Sequence, residues 1–198
     1  MGDFSQWAHV PTDWKFWIGI IGGIVSLAAY VPYIISILWG ATRPSRTTWW
    51  ILSCVVLITL VTYHSSGAGN TLWMVVGDLI GVLSIAILSI WYGHGGGEWI
   101  DFASLIGAII ALVMYLAFSS PIIAMATLLA VDFLAMMPTW IKTYDSPRSE
   151  DWFAWFLTTL GHTVSMFAVE RWIFAIIAYP IYHSIASGLV VLLALRKT

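Results

Sequence analysis

Ala29-Tyr-Val-Pro-Tyr-Ile-Ile-Ser-Ile-Leu-Trp39 and Ala135-Met-Met-Pro-Thr-Trp-Ile-Lys-Thr-Tyr-Asp145 are two apolar stretches with a proline at the same place, Pro32 and Pro138. Each is followed by a second proline, Pro44 and Pro147. Pro44-Ser-Arg-Thr-Thr-Trp49-Trp50 corresponds to Pro147-Arg-Ser-Glu-Asp-Trp152-Phe153, with the same five-residue step from proline to tryptophan and a second copy three residues shorter upstream. Such self-similarity marks an architecture built from repeated units. Aligning Trp73 with Trp172 extends the match to a third segment, on hydropathy.

The units are membrane helices. Of 198 residues, 60% are hydrophobic and 9% are charged, too few charges to coat a water-soluble domain. A crossing needs about 20 mostly apolar residues, and the expected spans are Trp17–Leu38, Trp49–Tyr63, Leu72–Trp91, Phe102–Phe118, Pro121–Tyr144, Trp152–Val169 and Trp172–Leu195. The expected fold is therefore all-α, with seven transmembrane helices arranged as three, a linker helix and three. Residues 1–92 form a tail and the first triplet, 93–119 a glycine-rich loop and the linker helix, and 120–198 the second triplet. Equivalent spans are separated by an even number, so the repeats are parallel. The first dozen residues hold no basic region and the first apolar run is long, so that run is expected to be a retained helix.

The N-terminal tail and the connections on its side carry Lys15 and Arg171, two cations against six on the other side (Arg43, Arg46, Lys142, Arg148, Arg196 and Lys197). The positive-inside rule then puts the N-terminus outside and the C-terminus in the cytoplasm. Most tryptophans fall at span ends, where the headgroup region suits them. A net charge near −2 offers no basic stripe for nucleic acid. The lone Cys54 forms no internal disulfide or cysteine metal cluster.

With the three-one-three plan, an outside N-terminus and the Tyr-Val-Pro32 and Met-Met-Pro138 steps late in the first helix of each repeat, the chain resembles the PQ-loop superfamily, which includes the SWEET sugar carriers. Tyr33 and Thr139 stand where that family usually has glutamine. The resemblance covers nearly the whole chain. It implies alternating access through a central cavity between two triple-helix bundles, hinged at prolines, and a small polar solute such as a sugar. Other branches imply a proton-coupled amino-acid or vitamin carrier, a nucleoside-type carrier, or a non-transporting receptor or scaffold.

Proline within a helix removes one backbone hydrogen bond and permits bending, so Pro32, Pro138 and Pro180 are hinge candidates, with static kinks as the alternative. Ionisable groups at membrane depth cost roughly 3 kcal/mol or more and point into a cavity or at a partner. Four lie well inside spans: Asp78, Asp132, His162 and His183. Asp78, Tyr179 and His183 are read as the centre of a solute pocket, which takes in Asp132, its repeat counterpart Ser26, and the equivalent aromatics Trp49 and Trp152. Asp132, Asp78 and His162 are also candidates for proton coupling, the competing reading being hydrogen-bonded glue between helices.

At the cytoplasmic ends Arg43, Arg46 and Arg148, with Glu150, are gate candidates, and otherwise anchors to anionic headgroups. The four buried ionisable residues come from separate spans without metal-ligand spacing, so no metal is expected. Serine-nucleophile, phosphate-loop and dinucleotide motifs are absent, so no enzyme activity, catalytic residue or cofactor is expected either. The expected partners are a small polar solute and the lipid bilayer, with a homo-oligomer open, in a bacterial-type plasma membrane.

Overall fold

The computed structural model describes residues 13–40, 44, 46–93, 99, 102, 103, 106, 107, 109, 110, 113 and 120–196. Among them every regular element is helical: α1 (Trp14–Leu38), α2 (Arg46–Ser65), α3 (Leu72–Tyr92), α4 (Pro121–Asp145), a 3₁₀ turn (Pro147–Ser149), α5 (Trp152–Met166) and α6 (Phe174–Ala194). The described residues of the expected linker helix, such as Phe102, Gly107 and Val113, are helical too. A side chain at Gly107 would run into Val131 of α4, so this segment lies against α4.

Four helices, α1, α3, α4 and α6, are long and apolar enough to cross a membrane. The apolar part of α2 is shorter, Trp49–Ser65. The shortest, α5, has 15 residues, a rod of about 22 Å at 1.5 Å per residue, less than the roughly 30 Å of a hydrocarbon core. Large apolar side chains point outward along the helices, among them Ile24, Ile185 and Leu192, and Trp39, Trp91, Trp99 and Trp172 are exposed near helix ends. In water this surface would be a severe aggregation liability; in lipid it is the expected exterior.

The helices form a closed ring. α3 packs between α1 and α2, and α6 packs between α4 and α5, while α1 and α2 do not pack on one another within the described residues, nor do α4 and α5. The triplets join where α1 meets α5 and where α2 meets α4, with lesser approaches of α3 to α5 and α2 to α6. Exchanging α1, α2 and α3 for α4, α5 and α6 maps each helix pairing onto another.

The two seams differ in chemistry. At α1–α5, a side chain at Gly22 would meet Ser165, and one at Gly161 would meet the backbone and hydroxyl of Ser26, so small residues let the backbones approach closely. At α2–α4 the seam is filled by Ile51, Val55, Leu128 and Val131. A larger cluster of Val56, Tyr63, Met74, Val75, Met125 and Ile176 ties both triplets together.

Basic residues fasten helix C-termini, where unpaired carbonyls and the helix dipole favour a cation. Arg46 donates to the carbonyls of Ser89 (3.0 Å) and Ile90 (3.3 Å) at the end of α3. Lys15 Nζ donates to Val169 O at 2.9 Å just beyond α5, and Arg171 to Ser66 O at 3.2 Å just beyond α2. Arg196 donates to Tyr144 O and lies 4.2 Å from the centre of the Tyr144 ring, near the end of α4. At the opposite pole of α5, the Asp151 carboxylate caps the helix by accepting from Phe153 N and Ala154 N.

Candidate functional site

The inward face of α6 is written at helical spacing, with Tyr179, Ala186, Ser187 and Val190 buried and Tyr182 and His183 half-buried among them, so its polar members point to the same side as its packing residues. α5 does the same with Ala154, Gly161, His162 and Ser165, and α3 with Met74, Asp78, Gly81 and Ile85. Because these stripes face one another, the polar residues meet in one layer.

Asp78 is the hub. Its Oδ2 lies 3.1 Å from His162 Nε2 and accepts the Tyr179 hydroxyl at 3.2 Å. Asp78 and His162 are each 2% exposed. His162 Nδ1 lies 2.8 Å from the carbonyl oxygen of Thr158, one turn back. A carbonyl only accepts, so Nδ1 carries a hydrogen. One further proton must then lie between Nε2 and Oδ2, carried by either partner. The pair is an ion pair or a neutral acid hydrogen-bonded to a neutral imidazole, and in both forms it holds one shared proton.

From this hub the layer continues through stacked rings. His183 stacks on His162 with centroids 4.8 Å apart and 25° between planes, and its ring centre is 4.3 Å from Tyr179 and 5.0 Å from Tyr182. Beyond it His183 Nε2 is 3.9 Å from Asp132 Oδ1, too far for a hydrogen bond. A carboxyl and imidazole from α3 and α5 thus stand back to back with an imidazole and carboxyl from α6 and α4. Buried polar atoms are normally satisfied, yet Asp78 Oδ1, Asp132 Oδ2, His183 Nε2, the Tyr182 hydroxyl and Ser26 Oγ have no hydrogen-bond partner.

Pro180 sits beside the hub, and α6 continues through it. Its missing N–H leaves the Ile176 carbonyl, four residues back, without an intrahelical donor. The Tyr63 hydroxyl of α2 donates to that carbonyl. Tyr63 is fully buried and its ring meets Tyr179 edge to face at 6.0 Å. The backbone carbonyl freed by the α6 proline is therefore held by one phenol, and the residue just before that proline, Tyr179, reaches Asp78.

Of the pocket residues read from sequence, Asp78, Tyr179, His183 and Asp132 come together, and so does the coupling candidate His162. Ser26 is buried at the α1–α5 seam with its hydroxyl unpaired. Trp49 is half-buried beside Tyr33, with ring centres 5.2 Å apart, and packs against the cluster that contains Tyr63 and Tyr179. Trp152 is 47% exposed and rests on Phe153, so the structure does not bring it to the layer. α1 and α4 continue through Pro32 and Pro138 as they do at Pro180 in α6. Among the gate candidates, Arg46 is engaged with the end of α3, and Glu150 accepts from Trp155 Nε1 at 3.0 Å. Arg148 is exposed, and Arg43 lies outside the described residues.

Three contributors escape a reading of the sequence: Tyr182, Tyr63 and the Thr158 carbonyl. Tyr182 had a signal, since it follows Tyr179 by three residues on the face that bears His183. Tyr63 had none, because its partner is a main-chain oxygen exposed by a proline 117 residues away. Between α5 and α6 further hydroxyls pair, Thr159 with Ser187 at 2.9 Å and Thr163 with Ser184 at 3.1 Å, which is interhelical glue of the ordinary kind. No protein-family model, curated protein or solved structure matches this chain.

Proposed function

We propose that the protein is a seven-span carrier with its N-terminus outside, moving a small polar solute by alternating access between two parallel triple-helix repeats, in the manner of the PQ-loop and SWEET proteins it resembles. The observation that carries this reading is the buried polar layer where both triplets meet: ionisable groups at membrane depth are costly and mark solute or proton pathways. The symmetric exchange of helix pairings supports it, since parallel repeats around a central site are a recurring plan of transporters. Pro32, Pro138 and Pro180 serve as the points at which the helices bend.

Proton coupling is the second reading, favoured by one observation, the proton shared between Asp78 and His162. A solute that bonds Asp78 must compete with that proton, which links binding to protonation.

The test is uptake into proteoliposomes holding the purified full chain, with labelled sugars, nucleosides, amino acids and vitamins, with and without a pH gradient. Expected is equilibration of at least one solute well above empty vesicles, slowed in Asp78→Ala. Binding of a solute without any movement across the vesicle membrane would refute a carrier and point to a receptor.

A further inference from the structure

We infer that the layer containing Asp78, Asp132, His162 and His183 is a site for a small organic ammonium ion, taken up in exchange for a proton. This names the solute class for the site described above. It rests on that site's location, while binding itself requires no transport.

The charge inventory leads here. Every lysine and arginine of the sequence lies at or near a helix end or in a connection. The ionisable groups well inside the helices are two carboxyls and two imidazoles. An anion entering the layer would meet two carboxyls and no fixed cation. A neutral polyol would supply hydrogen bonds but leave the charge uncompensated. A protonated amine supplies both, three N–H donors and a positive charge.

The atoms without partners fit the same ligand. When ionised, Asp78 Oδ1 and Asp132 Oδ2 act purely as acceptors, His183 Nε2 accepts when it is the unprotonated nitrogen, and the Tyr182 hydroxyl can accept. All four are buried and make no well-formed hydrogen bond, the Tyr182 hydroxyl and the Asp132 carboxyl lying near enough to form one acceptor site together. The 3.9 Å gap between His183 Nε2 and Asp132 Oδ1 leaves both atoms without the donor that an ammonium N–H would provide. The rings of Tyr179 and Tyr182 flank His183 and offer faces of the kind that attract organic cations.

Charge conservation then sets the exchange. With no cation bound, the lowest-cost state of a low-dielectric layer is neutral, with one proton for each carboxyl–imidazole pair. Entry of a monocation displaces the proton held by Asp132 and His183 to water, and release of the cation returns it. The groups facing this pair are Asp78 from α3, His162 from α5, and Tyr179 and Tyr182 from α6; Tyr30 of α1 and Tyr63 of α2 pack at the same cluster. None of these is a competing fixed cation except His162, whose partner is Asp78.

The experiment is thermal unfolding of the purified full chain in detergent, with n-propylammonium chloride, sodium propionate or sorbitol against matched sodium chloride, at pH 7.5 and 5.5. Expected is a rise in Tm with propylammonium of about 3 °C at ten times its dissociation constant, smaller at pH 5.5 where protons compete, absent with propionate and sorbitol, and lost in Asp132→Asn. Tyr182→Phe should weaken binding several-fold while keeping the charge. The wild-type comparison of the three probes decides the matter even if Asp132→Asn fails to fold. Equal stabilisation by sorbitol or propionate, none by propylammonium beyond sodium chloride, or full retention in a folded Asp132→Asn would overturn the inference. Uptake of a sugar with no ammonium binding would overturn it and leave the carrier reading standing; ammonium binding without movement of any solute would do the reverse.

Discussion

Replacing Asp78 tests whether the hub is held by charge or by hydrogen-bond inventory. In Asp78→Ala, His162 Nε2 and the Tyr179 hydroxyl lose the oxygen they now share at 3.1 and 3.2 Å. Both stay buried, so each becomes an unsatisfied polar group costing about 1–3 kcal/mol. The missing carboxyl removes its own desolvation cost but leaves a small void, and a net loss of about 2–5 kcal/mol follows. Asp78→Asn behaves differently. An amide nitrogen at the position of Oδ2 has two hydrogens, one for His162 Nε2 and one for the oxygen of Tyr179, while His162 Nδ1 keeps its bond to Thr158 O. The expected cost is about 1 kcal/mol, the worth of one ordinary hydrogen bond. At about 2–4 °C per kcal/mol for a chain of this length, thermal unfolding in detergent should show Asp78→Ala lower by about 5–15 °C and Asp78→Asn by less than about 4 °C. An Asn variant as unstable as the Ala variant would refute the reasoning that hydrogen bonds and not charge hold the hub, and would assign the Asp78–His162 pair to its ion-pair form. A harmless Ala variant would show that the bonds carry no stability.

Tyr63→Phe should cost about 1–2 kcal/mol by stranding the Ile176 carbonyl, but much less in a Pro180→Ala background, where residue 180 regains an N–H for that carbonyl. A double-mutant cycle measured by thermal unfolding should therefore return a coupling of about 1 kcal/mol, and additivity would show that the phenol and the proline act independently. Gly161→Ala should destabilise by about 1–3 kcal/mol, because the added carbon meets the backbone of Ser26 as well as its hydroxyl. Gly188→Ala is the control: its added carbon finds Thr159 at 3.7 Å, an ordinary contact, and the helix gains up to about 1 kcal/mol from losing a glycine. Equal Tm values for the two alanine variants would refute the close α1–α5 approach.

What the sequence shows of this protein follows from what the membrane forces to be local. Apolar length and proline position are properties of single segments, so helix starts such as Leu72 and Pro121 and the ends of α1 and α4 could be read to within a residue or so. The shortness of α5 could not: Phe167, Ala168 and Val169 are as apolar as the helix before them, yet the helix stops at Met166 and Lys15 takes the Val169 carbonyl. Asp78, Asp132, His162 and His183 were legible as a set because each is expensive alone in lipid. Their pairing was not, since it depends on which helix stripes face one another. Trp49 and Trp152 show the limit from the other side: equivalence along the sequence did not give them equivalent surroundings, because Trp49 packs beside Tyr33 against the central cluster while Trp152 rests on Phe153 towards the exterior.

The seams explain how a symmetric ring can hold an asymmetric site. At α1–α5, glycines and serines set backbone against backbone, which brings His162 beside Asp78 and leaves no slack: opening there would strip close packing from both helices. At α2–α4 the equivalent crossing is made by branched aliphatics, whose contacts are individually weak and can be exchanged for others as helices slide. Ser26 and Asp132 occupy equivalent levels, one at the tight seam and one in the helix that forms the other. The tightly packed side of the ring therefore carries the hydrogen-bonded Asp78–His162 pair, and the aliphatic side carries Asp132, which lacks a hydrogen-bond partner for one oxygen and meets His183 across a gap. An alternating motion confined to the α2–α4 side would open and close the layer at Asp132 while leaving Asp78 and His162 bonded, so cross-linking α1 to α5 should be tolerated by any transport activity and cross-linking α2 to α4 should abolish it.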